Sequence, residues 1–314
     1  MNRLKILFIT RDFSKYLERN FYYMQMELQK QVLLTVEHRG GNLGEIVRRM
    51  PAKPDFVLLN DMFHAAYCPP VQGLAQLGIP WGMIMHDLHS KVEQRREFLL
   101  RFPSSNIFTI YQQAFRERYP EFKGNLHWLP HFVDPVVFRD YQQRKRIDIL
   151  LMGATNRKVY PLRHAIKTSL TARPGFVIHD HPGYVDFASD AKARVARSFA
   201  VEVNRAKIFM TCDSIYRYPL RKYFEVPACH TLLLAPENPD LIKLGFRPGV
   251  HYVAITPRDY LAKANFYLHP NNEVLRNKIS HQGYEFVREH HTTATRTREL
   301  LQMIRSIIAN RKMS

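Results

Sequence analysis

Short apolar runs bounded by polar turns alternate along this chain with longer stretches whose apolar residues recur at helical spacing. The runs LKILFIT (4–10), FVLLN (56–60), WGMIMH (81–86) and NIFTIY (106–111) predict strands. Phe21 to Gln31 and Val92 to Phe102 predict helices between them. The pattern then restarts. Asp134 to Arg146 carries Pro135 and the charged run RDYQQRKR, and IDILLMG (147–153) reads as a new first strand. Further strands are predicted at FVIHD (176–180), KIFMTC (207–212) and TLLLAP (231–236). Helices are predicted from Tyr160 to Thr171, Ala191 to Arg205, Pro219 to Ala228 and Tyr260 to Leu268.

Strands that alternate with helices build βαβ units and a parallel sheet. The expectation is an α/β chain of two doubly wound, Rossmann-like domains facing a cleft, residues 1–140 and 141–314, joined near 138–146. The last helix puts Leu300, Leu301, Ile304, Ile307 and Ile308 on one face and can pack on either domain. In open α/β sheets ligands bind beyond the carboxyl ends of the strands. Chemistry is therefore expected in the loops that directly follow strands.

A length of 314 residues suits two domains, and 46% apolar with 24% charged residues excludes a wholly disordered chain. Cys68, Cys212 and Cys229 lie far apart and form no C-x-x-C. That argues against a disulfide framework or a cysteine-based zinc site, and fits a reducing compartment. No run approaches the roughly 20 apolar residues of a membrane span. The run in MNRLKILFIT is too short for a signal sequence and meets Arg11-Asp12 at once. The expected location is cytoplasmic, with peripheral membrane attachment as a further option.

Charge changes the picture more. The chain carries 46 Lys/Arg against 28 Asp/Glu, net +18. Residues 1–140 hold 18 basic and 14 acidic residues, and residues 141–314 hold 28 and 14, so +14 of the surplus lies in the second part. A basic half suits an anionic partner: a phosphorylated small molecule, an anionic membrane surface or nucleic acid. A merely solvated basic surface is the plainer reading.

Among the strand-end loops, Ser214 to Pro236 is the most informative. Pro219 suits the first turn of a helix, whose free N–H groups and positive dipole would face an anion. Arg217, Arg221 and Lys222 sit beside it, and Glu225 follows. Glu225 either pairs with those bases or accepts hydrogen bonds from sugar hydroxyls while the bases hold phosphates. Tyr216 and Tyr218 either stack on a base or are core aromatics. GATNRKVYPLR (153–163) follows the first strand of the second domain and places Arg157, Lys158 and Arg163 around a helix start. MHDLHS (85–90) puts His86 at a strand end with Asp87 and His89 near. RGGNLGE (39–45) is glycine-rich but lacks dinucleotide-binding spacing or a phosphate-loop lysine, and reads as a turn. His179 to Tyr184 follows a strand and is placed to line a nucleobase. No ligand set for a metal is evident.

FEVPACHTLLLAP (224–236) resembles the nucleotide-sugar site of group 1, GT-B fold glycosyltransferases, above all the CgeB-like, spore-maturation-type branch. Leu220, Arg221, Phe224, Glu225, Pro227, Ala228, Cys229, Thr231, Leu233 and Leu234 carry the likeness. NPDLIKLGFRPGVHYV (238–253) and QGYEFVREHHTTATR (282–296) extend it. The resemblance implies a ribose contact at Glu225, backbone N–H groups offered to the donor around His230, Thr231 and Leu232, and diphosphate cations at Arg157 and Arg163. It also implies a sugar contact at His86 and, by analogy with inverting relatives, a base at Asp12. Two positions depart from the pattern. His230 replaces a glycine, and Arg217 stands where retaining relatives carry a second acid.

The resemblance thus implies a metal-independent glycosyltransferase with no tightly bound cofactor. Its donor would be a nucleotide diphosphate sugar, UDP-linked by preference. The acceptor is open among glycan, lipid-linked, protein and nucleic acid. The rival class is a non-catalytic nucleotide-sugar or nucleic-acid-binding protein that kept the fold. A UDP-sugar epimerase is a third.

Overall fold

In a computed structural model of the chain, residues 3–187 and 194–313 are described. The chain divides into two compact units. One comprises Met1–Ser14, Phe21–Pro130 and Ala294–Ser314, and the other Lys15–Asn20 and His131–Thr293.

The first unit holds a six-stranded sheet of β1 (Lys5–Ile9), β2 (Leu33–Glu37), β4 (Phe56–Leu59), β6 (Trp81–Met85), β7 (Asn106–Thr109) and β8 (Asn125–Trp128). Two short strands, β3 (Gly41–Asn42) and β5 (Val71–Gln72), pair separately. The six strands are all parallel, in the order β2-β1-β4-β6-β7-β8. Phe56, Val57, Leu58 and Leu59 are each fully buried, because helices cover both faces of such a sheet and leave no polar side to alternate with. The strands β2 and β8 are the two edges, and β2 is exposed or half-buried along its whole length.

The second unit holds β9 (Ile147–Met152), β10 (Phe176–His179), β11 (Ala206–Met210), β12 (Leu232–Ala235) and β13 (Val253–Ala254), parallel in the order β10-β9-β11-β12-β13. Alternate residues feed two cores. Ile149, Leu151, Ile208 and Met210 enter one, with Leu162 and Ile166 of the helix Pro161–Leu170. Leu150, Met152, Phe209 and Leu233 enter the other, with Tyr223, Phe224 and Val226 of the helix Lys222–Ala228. The long helix Glu273–His290 packs close to that second layer at Gly283. A side chain there would collide with the His251 carbonyl, at 2.3 Å from the added carbon.

In both sheets the unit's first strand lies between its second and third main strands. Chain progression reverses direction there, which opens a crevice at the carboxyl ends of β1 and β4 and again at those of β9 and β11.

Three expectations need adjustment. RGGNLGE is not a plain turn: it contains β3 and opens the helix Leu43–Arg49, capped by Asn42 Oδ1 accepting the Glu45 N–H at 3.2 Å. The helix expected from Pro219 begins at Lys222, so the proline belongs to the preceding loop. The helix expected from Ala191 is described as Ala196–Asn204, and residues 191–193 lie outside the described residues. Among the described residues no helix is long and apolar enough to cross a membrane.

Candidate functional site

The loops after β9 and β11 leave the second sheet at its reversal point, and Arg163 ties them together. It stands in the first turn of the helix Pro161–Leu170 and is 2% exposed. Its Nε donates to Thr211 Oγ1 at 3.0 Å, Nη2 to the Cys212 carbonyl at 2.8 Å and Nη1 to the Ala154 carbonyl at 3.2 Å. The guanidinium lies 4.2 Å from the centre of the Tyr160 ring. These acceptors are neutral oxygens, so they fix the cation's place without cancelling its charge.

Gly153 follows β9 beside it, with φ +120°. A methyl group there would sit 3.2 Å from Lys222 Nζ and 3.6 Å from Arg163 Nη1. The bare backbone thus runs beneath two cationic heads. Lys222 comes from the first turn of the helix Lys222–Ala228. It keeps part of its surface accessible while being closely surrounded. Burial, then Arg163, pull its pKa down to about 7.

Glu225 follows on the same helix and is 6% exposed. Arg221 Nη1 is 3.6 Å from Glu225 Oε1, and Arg221 Nε is 3.8 Å from Glu18 Oε1. These are ion-pair distances and not hydrogen bonds, so the Glu225 carboxylate keeps acceptor capacity for hydroxyl groups. His181, after β10, feels the same cations. Burial, then Lys222, Arg221 and Arg163, push its pKa down to about 4. Its Nδ1 accepts the Gly183 N–H at 3.0 Å, which leaves the neutral ring's proton on Nε2.

The loop 213–218 is clamped by the segment that follows β12. Asn238 Nδ2 donates to the Arg217 carbonyl at 2.8 Å, while Asn238 Oδ1 accepts the Asp240 N–H at 3.0 Å. Burial raises the Asp213 carboxyl, against a hydrogen bond from Asn238 that lowers it. Arg217 is exposed and left-handed, with φ +57°. Tyr218 is buried and half-exposed Tyr216 lies 5.7 Å from it, ring to ring.

Arg157 and Lys158 lie on the expected loop but point to its exposed side, whereas His230, Thr231 and Leu232 lie away from these loops. Arg157 and Lys158 are exposed on the loop after β9, in a turn where Asn156 Oδ1 accepts the Lys158 N–H. Lys222 and Arg163 are the side chains nearest to a carbon added at Gly153. His230, Thr231 and Leu232 lie at the amino edge of the sheet. The reason is topological: β12 starts at Leu232, which pairs with Ile208 near the start of β11, and its carboxyl end is Ala235. Thr231 Oγ1 donates to the Val203 carbonyl at 2.8 Å. His230 has φ +53°, the left-handed turn that ends the helix, which explains the glycine expected there. Its Nδ1 meets Asp140 Oδ2 at 2.8 Å, and Lys145 Nζ donates to its carbonyl at 2.9 Å.

In the first unit, His86 follows β6 and is 4% exposed. Its Nε2 is 3.1 Å from Asn60 Oδ1, an acceptor, so Nε2 donates. Its ring stacks on Tyr67 at 4.4 Å and meets Phe21 edge-on at 4.8 Å. Asn60 in turn donates to Thr10 Oγ1 at 3.0 Å. Beneath lies a buried ion pair: Arg95 Nη2 to Asp61 Oδ2 at 2.8 Å, both side chains fully enclosed. The same Asp61 oxygen accepts the His86 N–H at 2.9 Å. Asp12 is exposed, and its Oδ1 accepts the Ser14 N–H at 2.8 Å, a local turn. Lys222 was expected only as one of the bases beside Pro219 and His181 only as part of the loop after β10; the structure sets Lys222 beside Gly153 and both near Arg163. Asn238 carries no signal in the pattern of the chain beyond following a strand. Among the described residues no cluster of three or more His, Cys, Asp or Glu side chains is arranged to hold a metal.

Residues 157–302 match the family model described as glycosyl transferase-like. No curated protein matches the chain in sequence. Among solved structures, sucrose-phosphate synthase from Thermosynechococcus elongatus is similar over 98% of this chain and 100% of its own, with 12% identity and a TM-score of 0.68. HepE of Anabaena in complex with UDP and glucose is similar over 96% and 100%, with 11% identity and a TM-score of 0.63. A glycosyltransferase from Rickettsia africae is similar over 99% and 100%, with 11% identity and a TM-score of 0.59. The fold is GT-B, with two Rossmann-like units.

Proposed function

We propose that this protein transfers a sugar from a nucleotide diphosphate sugar, and that its second unit holds the donor. The observation that carries this reading is the buried Arg163 beside bare Gly153, on the same sheet edge that presents Glu225. The match of residues 157–302 to a glycosyl transferase-like family supports it. HepE, whose fold is similar, has been seen with UDP and with UDP-glucose, and this favours a UDP-linked donor. The motif from Leu220 to Leu234 favours the CgeB-like branch.

The chemistry follows from charge. The bond between sugar C1 and the phosphate oxygen breaks, its electron pair passes to that oxygen, and positive charge develops at C1. An acceptor hydroxyl then bonds to C1 and releases its proton to solvent, which balances the charge gained by the departing diphosphate. The diphosphate leaves with more negative charge than it brought. Arg163, fixed by three neutral oxygens, meets that charge without reorganising, an effect on the order of a few kcal/mol. Arg221 adds a second cation, and Glu225 accepts hydrogen bonds from the ribose hydroxyls. No metal is required by these steps.

Thermal unfolding with UDP, GDP and dTDP tests the reading. A ligand at about 100 times its Kd adds about 2.7 kcal/mol, a readily measured rise in Tm. Glu225→Ala should reduce that rise without unfolding the protein. If none of the three nucleotides moves Tm, the donor assignment is refuted. If a nucleotide binds and no sugar is released or transferred with any acceptor or water, the protein is a binding module.

A further inference from the structure

The ammonium of Lys222 sits among cations. Arg163 faces it from the helix Pro161–Leu170, Arg221 from its own chain neighbour and His181 from the loop after β10. Cys212 faces it from the end of β11, and Glu225 adds a carboxylate from its own helix. The Phe199 ring lies 6.0 Å away, and the backbone of Gly153 passes beneath. Such surroundings favour the neutral amine in the free protein: burial and Arg163 together bring its pKa to about 7. A diphosphate carries two negative charges, and its arrival would reverse the local field.

We propose that Lys222 and Arg163 grip the donor's diphosphate across the bare backbone of Gly153, and that Lys222 takes a proton from solvent as the diphosphate arrives. This rests on the nucleotide-sugar reading above. Donor binding is then coupled to proton uptake. The free site avoids the full repulsion of adjacent cations, and the loaded site gains the charge when there is an anion to meet it. Gly153 is bare because a side chain would occupy the space between the two cationic heads.

Calorimetric titration of the whole protein in two buffers of different ionisation enthalpy reads the coupling. The probes are UDP-glucose, GDP-mannose and dTDP-glucose, whose phosphates do not titrate near neutrality. Starting from a pKa of about 7, wild type at pH 7.5 should take up about 0.7 proton per donor bound. Affinity should fall as pH rises from 7 to 9. Lys222→Arg should bind with uptake reduced to near zero, because arginine stays charged. Lys222→Met should bind at least about tenfold more weakly. Wild-type uptake below about 0.2 proton, or Lys222→Met affinity within twofold of wild type, overturns the proposal while the donor assignment stands. Failure of all three probes to bind wild type overturns both.

Discussion

Replacing Asp61 with alanine perturbs the first unit at its most enclosed point. The substitution leaves Arg95 charged, fully buried and without its carboxylate. It retains only the Ser90 carbonyl, at 3.0 Å from Nε, and the Phe63 ring, at 4.8 Å. It also removes the acceptor of the His86 N–H, at 2.9 Å, and of the Phe63 N–H, at 3.2 Å. Breaking a buried ion pair from one side costs about 3–5 kcal/mol, and an orphaned buried N–H about 1–3 kcal/mol. These costs overlap, because relaxation that rescues one group eases the others, so the expected loss is about 4 kcal/mol. At about 2–4 °C per kcal/mol, Tm should fall by about 8–16 °C. Both tryptophans, Trp81 and Trp128, belong to the first unit, so tryptophan fluorescence during urea or thermal unfolding follows that unit selectively. The double variant Asp61→Leu with Arg95→Met removes both charges and should recover most of the loss, since apolar groups of similar volume replace buried ion pairs at little cost. A loss below about 1 kcal/mol in Asp61→Ala, or a double variant no better than the single one, would show that the pair does not hold this region together.

Gly153→Ala should weaken donor-nucleotide binding by about tenfold or more, since its methyl intrudes between Lys222 and Arg163, while the left-handed alanine should cost the second unit about 1–3 kcal/mol of stability. Titration calorimetry measures the binding, and tryptophan-detected melting should barely move. Stability should also fall in mild acid. Burial, then Arg247 and His290, bring the His251 pKa down to about 4, and its ring stacks on Phe286 at 4.1 Å. The unfolded chain takes up that proton near pH 6.5 and the folded one only near 4. Stability is therefore lost as pH falls through that window, and His251→Leu should flatten the fall in Tm between pH 6.5 and 4.5. An unchanged slope would place the acid sensitivity elsewhere.

Much of the architecture was legible in the chain. The segments ILLM (149–152) and FVLL (56–59) are apolar throughout because both faces of their strands are covered. Edge strands were harder: LLTVE of β2 is exposed or half-buried throughout and carries no such run. Arg163 stands at a helix start after the first strand of the second unit, as the pattern predicts. Arg157 and Lys158 are close to Gly153 along the chain yet exposed on a turn. Lys222, 69 residues later in sequence, is brought there by the fold. His230 to Leu232 were expected at the donor because their motif contains Glu225. The last three residues of Glu225's own helix and the turn at Cys229 and His230 separate them from it, and β12 then starts from the opposite edge of the sheet.

The last helix returns to the first unit, and residues 15–20 belong to the second. No single cut in the chain therefore frees either unit whole. A protease nick near residue 130 would leave the first unit without its closing segment. An evolutionary exchange of donor specificity by recombination would need two splice points, one on each side of residues 131–293, and would still leave the 15–20 segment behind to fit its new host.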